Sequence, residues 1–290
     1  MPSNLHIDET GSLYVVATPI GNRDDITIRA LNILGQVDLV AAEDTRHTGR
    51  FLAHHNIKCR MISFHEHNER ERTPDLINRL KAGSSVALVS NAGTPSVSDP
   101  GYRLVKEAID SDIRVIPIPG VSAAITALCV AGMPTDSFVF VGFPAKKNAR
   151  RLNQLNDLAG EHRTIIFYES PRRISTFLEE IIDIMGDRYG VLAREMTKLH
   201  EEFIRGSLSE ILSSLNARPA IKGECTLLVT GCEENKEISL KTVRTEIIKA
   251  LEKKENRLSE IAKAVAEKHG LSKNKVYDEA LKLKREMQSA

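Results

Sequence analysis

Four times between residues 13 and 101, a short apolar run ends in a cluster of small or polar residues. The runs are 13–17, 39–42, 61–64 and 86–89, and the clusters are 18–22, 43–48, 65–68 and 90–101. The runs are short and rich in Val, Ile, Leu and Ala, so they read as buried strands. Helical periodicity fills most of the gaps: Ile26 to Leu34, a polar helix over roughly 70–81, and Tyr102 to Ile109. Asp24 or Asp25 stands where a cap for the first of these belongs. Leu104, Val105, Ala108 and Ile109 share one face of the last. Alternating strands and helices require a mainly parallel sheet covered on both faces. In such a sheet all four polar clusters lie on one edge, outside the carboxyl ends of the strands, where open α/β sheets bind ligands. The fullest cluster runs from Ser90 to Gly101. Its Gly93 lets backbone approach a ligand closely, and Pro95 and Pro100 stiffen it.

The ligand has no phosphate fingerprint. No G-x-G-x-x-G follows a strand and no G-x-x-x-x-G-K-[ST] occurs. A cofactor without phosphate, held by backbone and apolar contacts, fits this edge better.

A fifth strand, Arg114 to Ile118, leads through Pro119-Gly120-Val121-Ser122 into a helix of small residues ending at Ala131. The pattern breaks at Pro134 and Asp136. Beyond it, 138–143, 164–168, 191–194, 202–205 and 226–229 read as strands, with helices near 148–159, 172–185 and 208–215. The strand from Glu202 follows its predecessor with no room for a helix, so the second sheet is expected to be mixed. After Glu233-Glu234-Asn235 a third unit begins. Val243, Ile247, Ile248 and Leu251 share one helix face, and Leu258, Ile261, Ala262 and Val265 share another. Asn256 or Ser259 is placed to cap that second helix, Gly270 to end it, and Ser272 to start a third carrying Val276, Ala280, Leu281 and Leu283. Helix, turn and helix is a helix-turn-helix pattern, and equally that of any small helical hairpin. The expected division is 12–133 and 136–234 for two α/β lobes and 240–287 for the helical extension.

From Lys236 onward there are 14 Lys/Arg against 9 Asp/Glu, which leaves 26 against 30 in the rest. The tail is the basic part, which fits a nucleic-acid partner or a solvated helical face. Cys59, Cys129, Cys225 and Cys232 show no C-x-x-C spacing and read as buried free thiols, neither a disulfide framework nor a metal site. No leader pattern opens the chain and no apolar run is long enough to span a bilayer, so a cytoplasmic protein with no membrane partner is expected.

Ser90-Asn91-Ala92-Gly93-Thr94-Pro95 with Ser98-Asp99-Pro100-Gly101 resembles the signature of the tetrapyrrole methylase superfamily. More narrowly, it resembles the branch that methylates a cytidine 2′-hydroxyl in 16S ribosomal RNA of the small (30S) subunit. Thr18-Pro19-Ile20-Gly21-Asn22, Ala42-Glu43-Asp44-Thr45-Arg46, Phe64-His65-Glu66-His67-Asn68, Phe167-Tyr168-Glu169-Ser170, Ala193-Arg194-Glu195 with Thr197-Lys198, and Gly223-Glu224 look like that branch too. One position departs from it: Asn91 stands where the branch has Asp. The resemblance implies a two-lobed tetrapyrrole-methylase-like α/β fold, a homodimer, and S-adenosylmethionine held in the cleft between lobes. The cofactor residues it implies are Pro19, Asn91, Ala92, Gly93, Thr94, Pro95, Asp99, Ser122 and Ala123, with Phe167, Tyr168 and Ala193 from the second lobe.

Methyl transfer to a hydroxyl is an in-line displacement that needs a positioned nucleophile and a route for its proton. His65, Glu66 and His67 are candidates by their place at a strand end; on a loop, with no third ligand, they do not make a metal site. Arg46, Arg194, Glu195 and Lys198 are the others. Arg46 and Lys198 can hold RNA phosphates or form salt bridges across the cleft. Two other functions compete: a precorrin-type tetrapyrrole methylase, and a nucleic-acid-binding regulator whose α/β body senses a metabolite.

Overall fold

The computed structural model describes residues 11–232, 236–252, 258–269 and 273–289. Strands β1 (Ser12–Val16), β2 (Leu39–Ala42), β3 (Met61–Ser63), β4 (Val86–Val89) and β5 (Arg114–Ile118) form an all-parallel sheet. Its order is β3-β2-β4-β1-β5. Helices α1 (Ile28–Gln36), α2 (Thr45–His54), α3 (Glu69–Lys81) and α4 (Tyr102–Asp110) connect them, and α5 (Ala123–Ala131) follows β5. Successive strand residues point to opposite faces. Tyr14 and Val40 therefore pack with Ile33, Leu34 and Leu52 on one side. Leu13 and Leu39 pack with Leu76, Leu80 and Leu104 on the other. All four residues of β2 and of β4 are buried, as two-sided cover demands.

Several local expectations are corrected. Asp24 and Asp25 do not cap α1: they lie in a 3-10 turn that Asn22 caps, and Thr27 caps α1 by accepting from the Ala30 N–H at 3.1 Å. Residues from Thr45 on are not loop but helix α2, whose cap Asp44 accepts from the Arg46 and His47 N–H groups. Its apolar face is short, with Leu52 buried and Phe51 partly so, and polar residues mask the helical period. Ile109 is 60% exposed, because α4 turns Leu104 and Ala108 to the sheet instead. Of the cysteines only Cys225 is buried and Cys129 is exposed; all four are free thiols.

Strands β6 (Phe138–Gly142), β7 (Thr164–Glu169), β8 (Tyr189–Arg194), β9 (Glu202–Ser207) and β10 (Cys225–Val229) form the second sheet, in the order β6-β7-β10-β8-β9. Only β6 and β7 pair in parallel, so it is mixed, as the missing helix before Glu202 requires. Helices α6 (Asn148–Leu158), α7 (Ile174–Met185) and α8 (Leu208–Asn216) follow β6, β7 and β9. Phe177, Leu178, Ile181, Leu208 and Ile211 of α7 and α8 bury one face of the sheet. The other face carries Ile166, Val191, Ala193 and Leu228, and against it lie Ala124, Ala127 and Leu128 of α5. This helix follows the first sheet in sequence and packs on the second. The body up to Cys232 accordingly forms one compact unit.

The remaining unit contains α9 (Lys236–Glu252), α10 (Leu258–His269) and α11 (Lys273–Ser289). Its core is Val243, Ile247, Ile261, Ala262, Val276, Ala280 and Leu283, with Leu281 only half-buried. Residues 1–10, Glu233–Asn235, Asn256, Gly270 and Ser272, to which the sequence assigns tails, caps and stops, lie outside the described residues.

Candidate active site

Strand order decides where the polar clusters meet. β1 and β4 are neighbours at the centre of the sheet, and the chain leaves them in different directions, which makes their carboxyl ends a switch point. The two loops there are zipped together. The Thr18 N–H donates to the Gly93 carbonyl at 2.8 Å, the Gly93 N–H donates back at 2.9 Å, and the Thr18 hydroxyl donates to the Ser90 carbonyl. Gly93 has φ +75°, a conformation L side chains rarely adopt, so the bridge needs glycine for backbone geometry. A Gly93→Val side chain would therefore strain the loop whatever it did to a ligand.

A cavity of about 380 Å³ opens above this crevice. Of the sequence candidates it is lined by Asn91, Ala92, Gly93, Thr94, Asp99, Ser122, Ala123 and Tyr168. Ile20, Glu43, Phe143, Glu169 and Glu224 complete much of the wall, and among the described residues no lysine or arginine lines it. The second lobe is tied in by Tyr168, whose hydroxyl accepts from the Ala124 N–H at the start of α5 at 3.0 Å. Burial pushes the Tyr168 hydroxyl pKa up. Phe140 and Phe143 pack edge-on against its ring. Thr94 donates to the Val121 carbonyl at 3.2 Å, which joins the loop to the approach of α5.

The floor is acidic. The Asn91 N–H donates to Glu43 at 3.0 Å, and Asn91 Oδ1 is buried with no hydrogen-bond partner. Burial, then the neighbouring Glu43 charge, push the Asp99 carboxyl up to about 6, against a hydrogen bond from Ser90. The loop carrying Asp99 is strained: Ser96 and Ser98 have φ of 69° and 63°. It is pinned at its end by a residue the sequence reading missed. Glu69 of α3, buried, accepts from the Gly101 and Arg103 N–H groups at 3.2 and 3.1 Å, capping α4 where Gly101 offers no side chain. No local sequence pattern marks it, because its partners are more than thirty positions away.

A second cavity of about 630 Å³ adjoins the first through Ile20, Asn91 and Ala92. Pro19 and Lys198 line it, with Arg23, His47 and Arg50. Lys198 donates to Glu195 at 2.7 Å and Glu224 at 2.9 Å, and these bonds raise its pKa against the effect of burial. The same lysine, with the Glu224 N–H, holds the Glu195 carboxyl below its usual range. Glu195 and Thr197 sit at φ 50° and 64° in a tight turn, and the Asn22 N–H donates to the Thr197 hydroxyl at 2.9 Å. Gly21 passes so close that an added Cβ would lie 2.5 Å from Lys198 Cγ and 2.9 Å from the Met196 carbonyl.

Other candidates are placed elsewhere. His65 and Glu66 line neither cavity; Glu66 is exposed, and His65 is half-buried, its Nδ1 without a partner. Arg46 is 87% exposed beside Asp44. Arg194 is paired with Glu202. Pro95 is buried, Phe167 packs on Phe177 inside the second lobe, Ala193 lies in the core against α5, and none of the three faces either cavity.

A two-lobed α/β body with a cavity at the switch point of its parallel sheet defines a class that comparison with known proteins identifies. Residues 12–212 match the tetrapyrrole (corrin/porphyrin) methylases. A ribosomal RNA small subunit methyltransferase I from Haemophilus influenzae is 48% identical over 278 residues, covering 93% of this chain and 96% of its own length. The protein of that name from Escherichia coli O157:H7 is 46% identical over 278 residues, with 93% and 95% covered. Among solved structures, a cobalt precorrin-4 methyltransferase superimposes with a TM-score of 0.58 at 19% identity, covering 76% of this chain and 94% of its own. A uroporphyrin-III C-methyltransferase from Thermus thermophilus complexed with S-adenyl homocysteine gives 0.55 at 18%, covering 75% and 97%. The chain belongs to the tetrapyrrole methylase family and, within it, to the small-subunit ribosomal RNA methyltransferases. No helix among the described residues is long and apolar enough to cross a membrane.

Proposed function

We propose that this protein transfers a methyl group from S-adenosylmethionine to the ribose 2′-hydroxyl of a cytidine in 16S rRNA, acting on the 30S subunit in the cytoplasm. The observation that carries the reading is identity of 48% across 93% of the chain to a protein named for this RNA.

The residues present fit the cofactor. Its sulfonium and amino groups are cationic, and the 380 Å³ cavity carries Glu43, Asp99, Glu169 and Glu224 with no basic side chain. Asn91 Oδ1, buried and unpartnered, offers an acceptor for a donor group. When bound, S-adenosylmethionine supplies an electrophilic methyl on a good leaving group. The chain's own residues do the rest. Ala92, Gly93 and Thr94 present backbone and small side chains to the ligand, and Ile20, Ala123 and Phe143 exclude water around it. Arg23 and Arg50 of the adjoining cavity neutralise RNA phosphates and set the register of the nucleotide, while Lys198 is held by Glu195 and Glu224. The basic helical unit adds affinity without base contacts. Homodimer formation is part of the proposal. It is supported by α5, an almost wholly apolar helix that leaves Ile125 and Val130 about half exposed.

The test offers labelled S-adenosylmethionine with 30S subunits, free 16S rRNA and a tetrapyrrole. After nuclease digestion, label is expected in 2′-O-methylcytidine. Label in the tetrapyrrole, or in a methylated base, overturns the proposal.

A further inference from the structure

The mechanism above leaves the proton of the 2′-hydroxyl unassigned, and the residues a sequence reading favours for it are in the wrong places or states. Glu66 and His65 line neither cavity. Glu195 is neutralised by Lys198, whose own raised pKa keeps it protonated. Asp99 differs from all of these. It lines the 380 Å³ cavity and remains partly accessible there. Its strained loop is fixed at Gly101 by Glu69. We infer that Asp99 is the catalytic base, taking the proton of the ribose 2′-hydroxyl as that oxygen attacks. The inference rests on the methyltransferase reading just given and deepens it.

The step balances. The hydroxyl O–H bond breaks and its proton goes to Asp99. The oxygen forms a bond to the methyl carbon, the sulfur–carbon bond breaks, and its electron pair stays on a neutral thioether. One positive charge on sulfur is lost and one negative charge on Asp99 is neutralised. No oxidant or metal is needed.

The surroundings favour this role. A useful base has a pKa close to working pH, and carboxylates reach that range through burial and a like charge. Both act on Asp99: it is partly buried, and the charge of Glu43, which follows β2, is nearby. Glu169, Tyr168 and Glu224 share the cavity wall from the second lobe, and no Lys or Arg does. The Ser90 hydroxyl opposes the shift. The value of about 6 leaves Asp99 mostly ionised at neutral pH, ready to accept.

The experiment compares wild type, Asp99→Asn and Glu43→Gln on 30S subunits. It measures kcat/KM for S-adenosylmethionine against pH, cofactor affinity by calorimetry, and the Asp99 carboxyl carbon by NMR in cofactor-free protein. Wild-type kcat/KM is expected to rise through a pKa of about 6, with the same midpoint by NMR. Asp99→Asn is expected to lose about a hundredfold or more in kcat and to lack the acid limb, while cofactor affinity falls far less than the rate because Glu43, Glu169 and Glu224 keep their charge in the same cavity. Glu43→Gln is expected to move both midpoints down toward the ordinary carboxylate value. Cofactor affinity that falls as steeply as rate in Asp99→Asn would make Asp99 a cofactor ligand and overturn the inference. So would an Asp99→Asn enzyme that keeps its rate. A wild type that labels no cytidine defeats the underlying reading instead, and the two failures are distinct.

Discussion

Glu69→Ala is the sharpest test of how the fold holds its site. Glu69 contributes two charge-assisted hydrogen bonds at the N-terminus of α4, to the Gly101 and Arg103 N–H groups. Such bonds contribute about 1.5–3 kcal/mol each. At 3.2 and 3.1 Å they are long for their type, so the lower end applies. The Arg103 guanidinium, 3.9 Å from the other carboxylate oxygen and half exposed, adds little. The sum is about 3 kcal/mol, including the favourable placement of an anion at a helix N-terminus. For a body of this size that is a fall in Tm of roughly 6–12 °C. Glu69→Gln keeps an acceptor and loses the charge, for about 1 kcal/mol. The loss is local, so native-state hydrogen exchange is the second assay: α4 amides should lose protection before β1 and β4 amides do. Calorimetry should then show weaker S-adenosylmethionine binding, because the strained 96–101 loop is no longer pinned. A Tm change below about 2 °C with α4 protection intact would refute the argument.

Three further outcomes follow. Gly21→Val should separate the 18–22 loop from the Lys198 turn, since even a Cβ would lie 2.5 Å from Lys198 Cγ; loss of cofactor and RNA binding together is expected, and normal binding would show that the turn yields freely. Asn91→Asp, which restores the residue of the family signature, should change cofactor affinity and turnover by less than about tenfold, because the acceptor is kept; a larger gain in either would show that the missing charge matters. Glu202 is held at about 2, first by its hydrogen bonds from Arg218 and second by Arg194. Its folded pKa lies below the unfolded value, so its contribution is present above pH 4.5 and lost as pH falls toward 2. With its side chain 31% exposed that contribution is discounted to about 1–2 kcal/mol, and Glu202→Gln should flatten the acid limb of a Tm–pH curve by that much. An unchanged limb would remove the pair from the account of acid stability.

The chain's own pattern determined the two sheets and the edge on which the cavity opens. Apolar runs of four or five residues followed by turn formers force strands, and parallel strands place their following loops together. A one-dimensional period also carries the mixed second sheet, because no helix fits between Arg194 and Glu202. What it could not carry is anything set by contacts distant in sequence. The central placement of β4 beside β1 follows from crossover packing, and only that placement brings Thr18 to Gly93 and Asn91 to Glu43. The polar loop 65–68 ends a strand like the others, yet β3 is at the sheet's edge, so its histidines miss the cavity. Glu69 lies in an ordinary polar stretch, and Asp99 in a loop whose pattern marks a ligand site without saying what its carboxylate touches. One becomes a cap and the other a tuned carboxylate only because folding brings them near Gly101 and Glu43, burying Glu69 and partly burying Asp99. Strand and helix periods are local properties of the chain. Hydrogen-bond partners and pKa values depend on which residues become neighbours, and those are chosen by the tertiary packing.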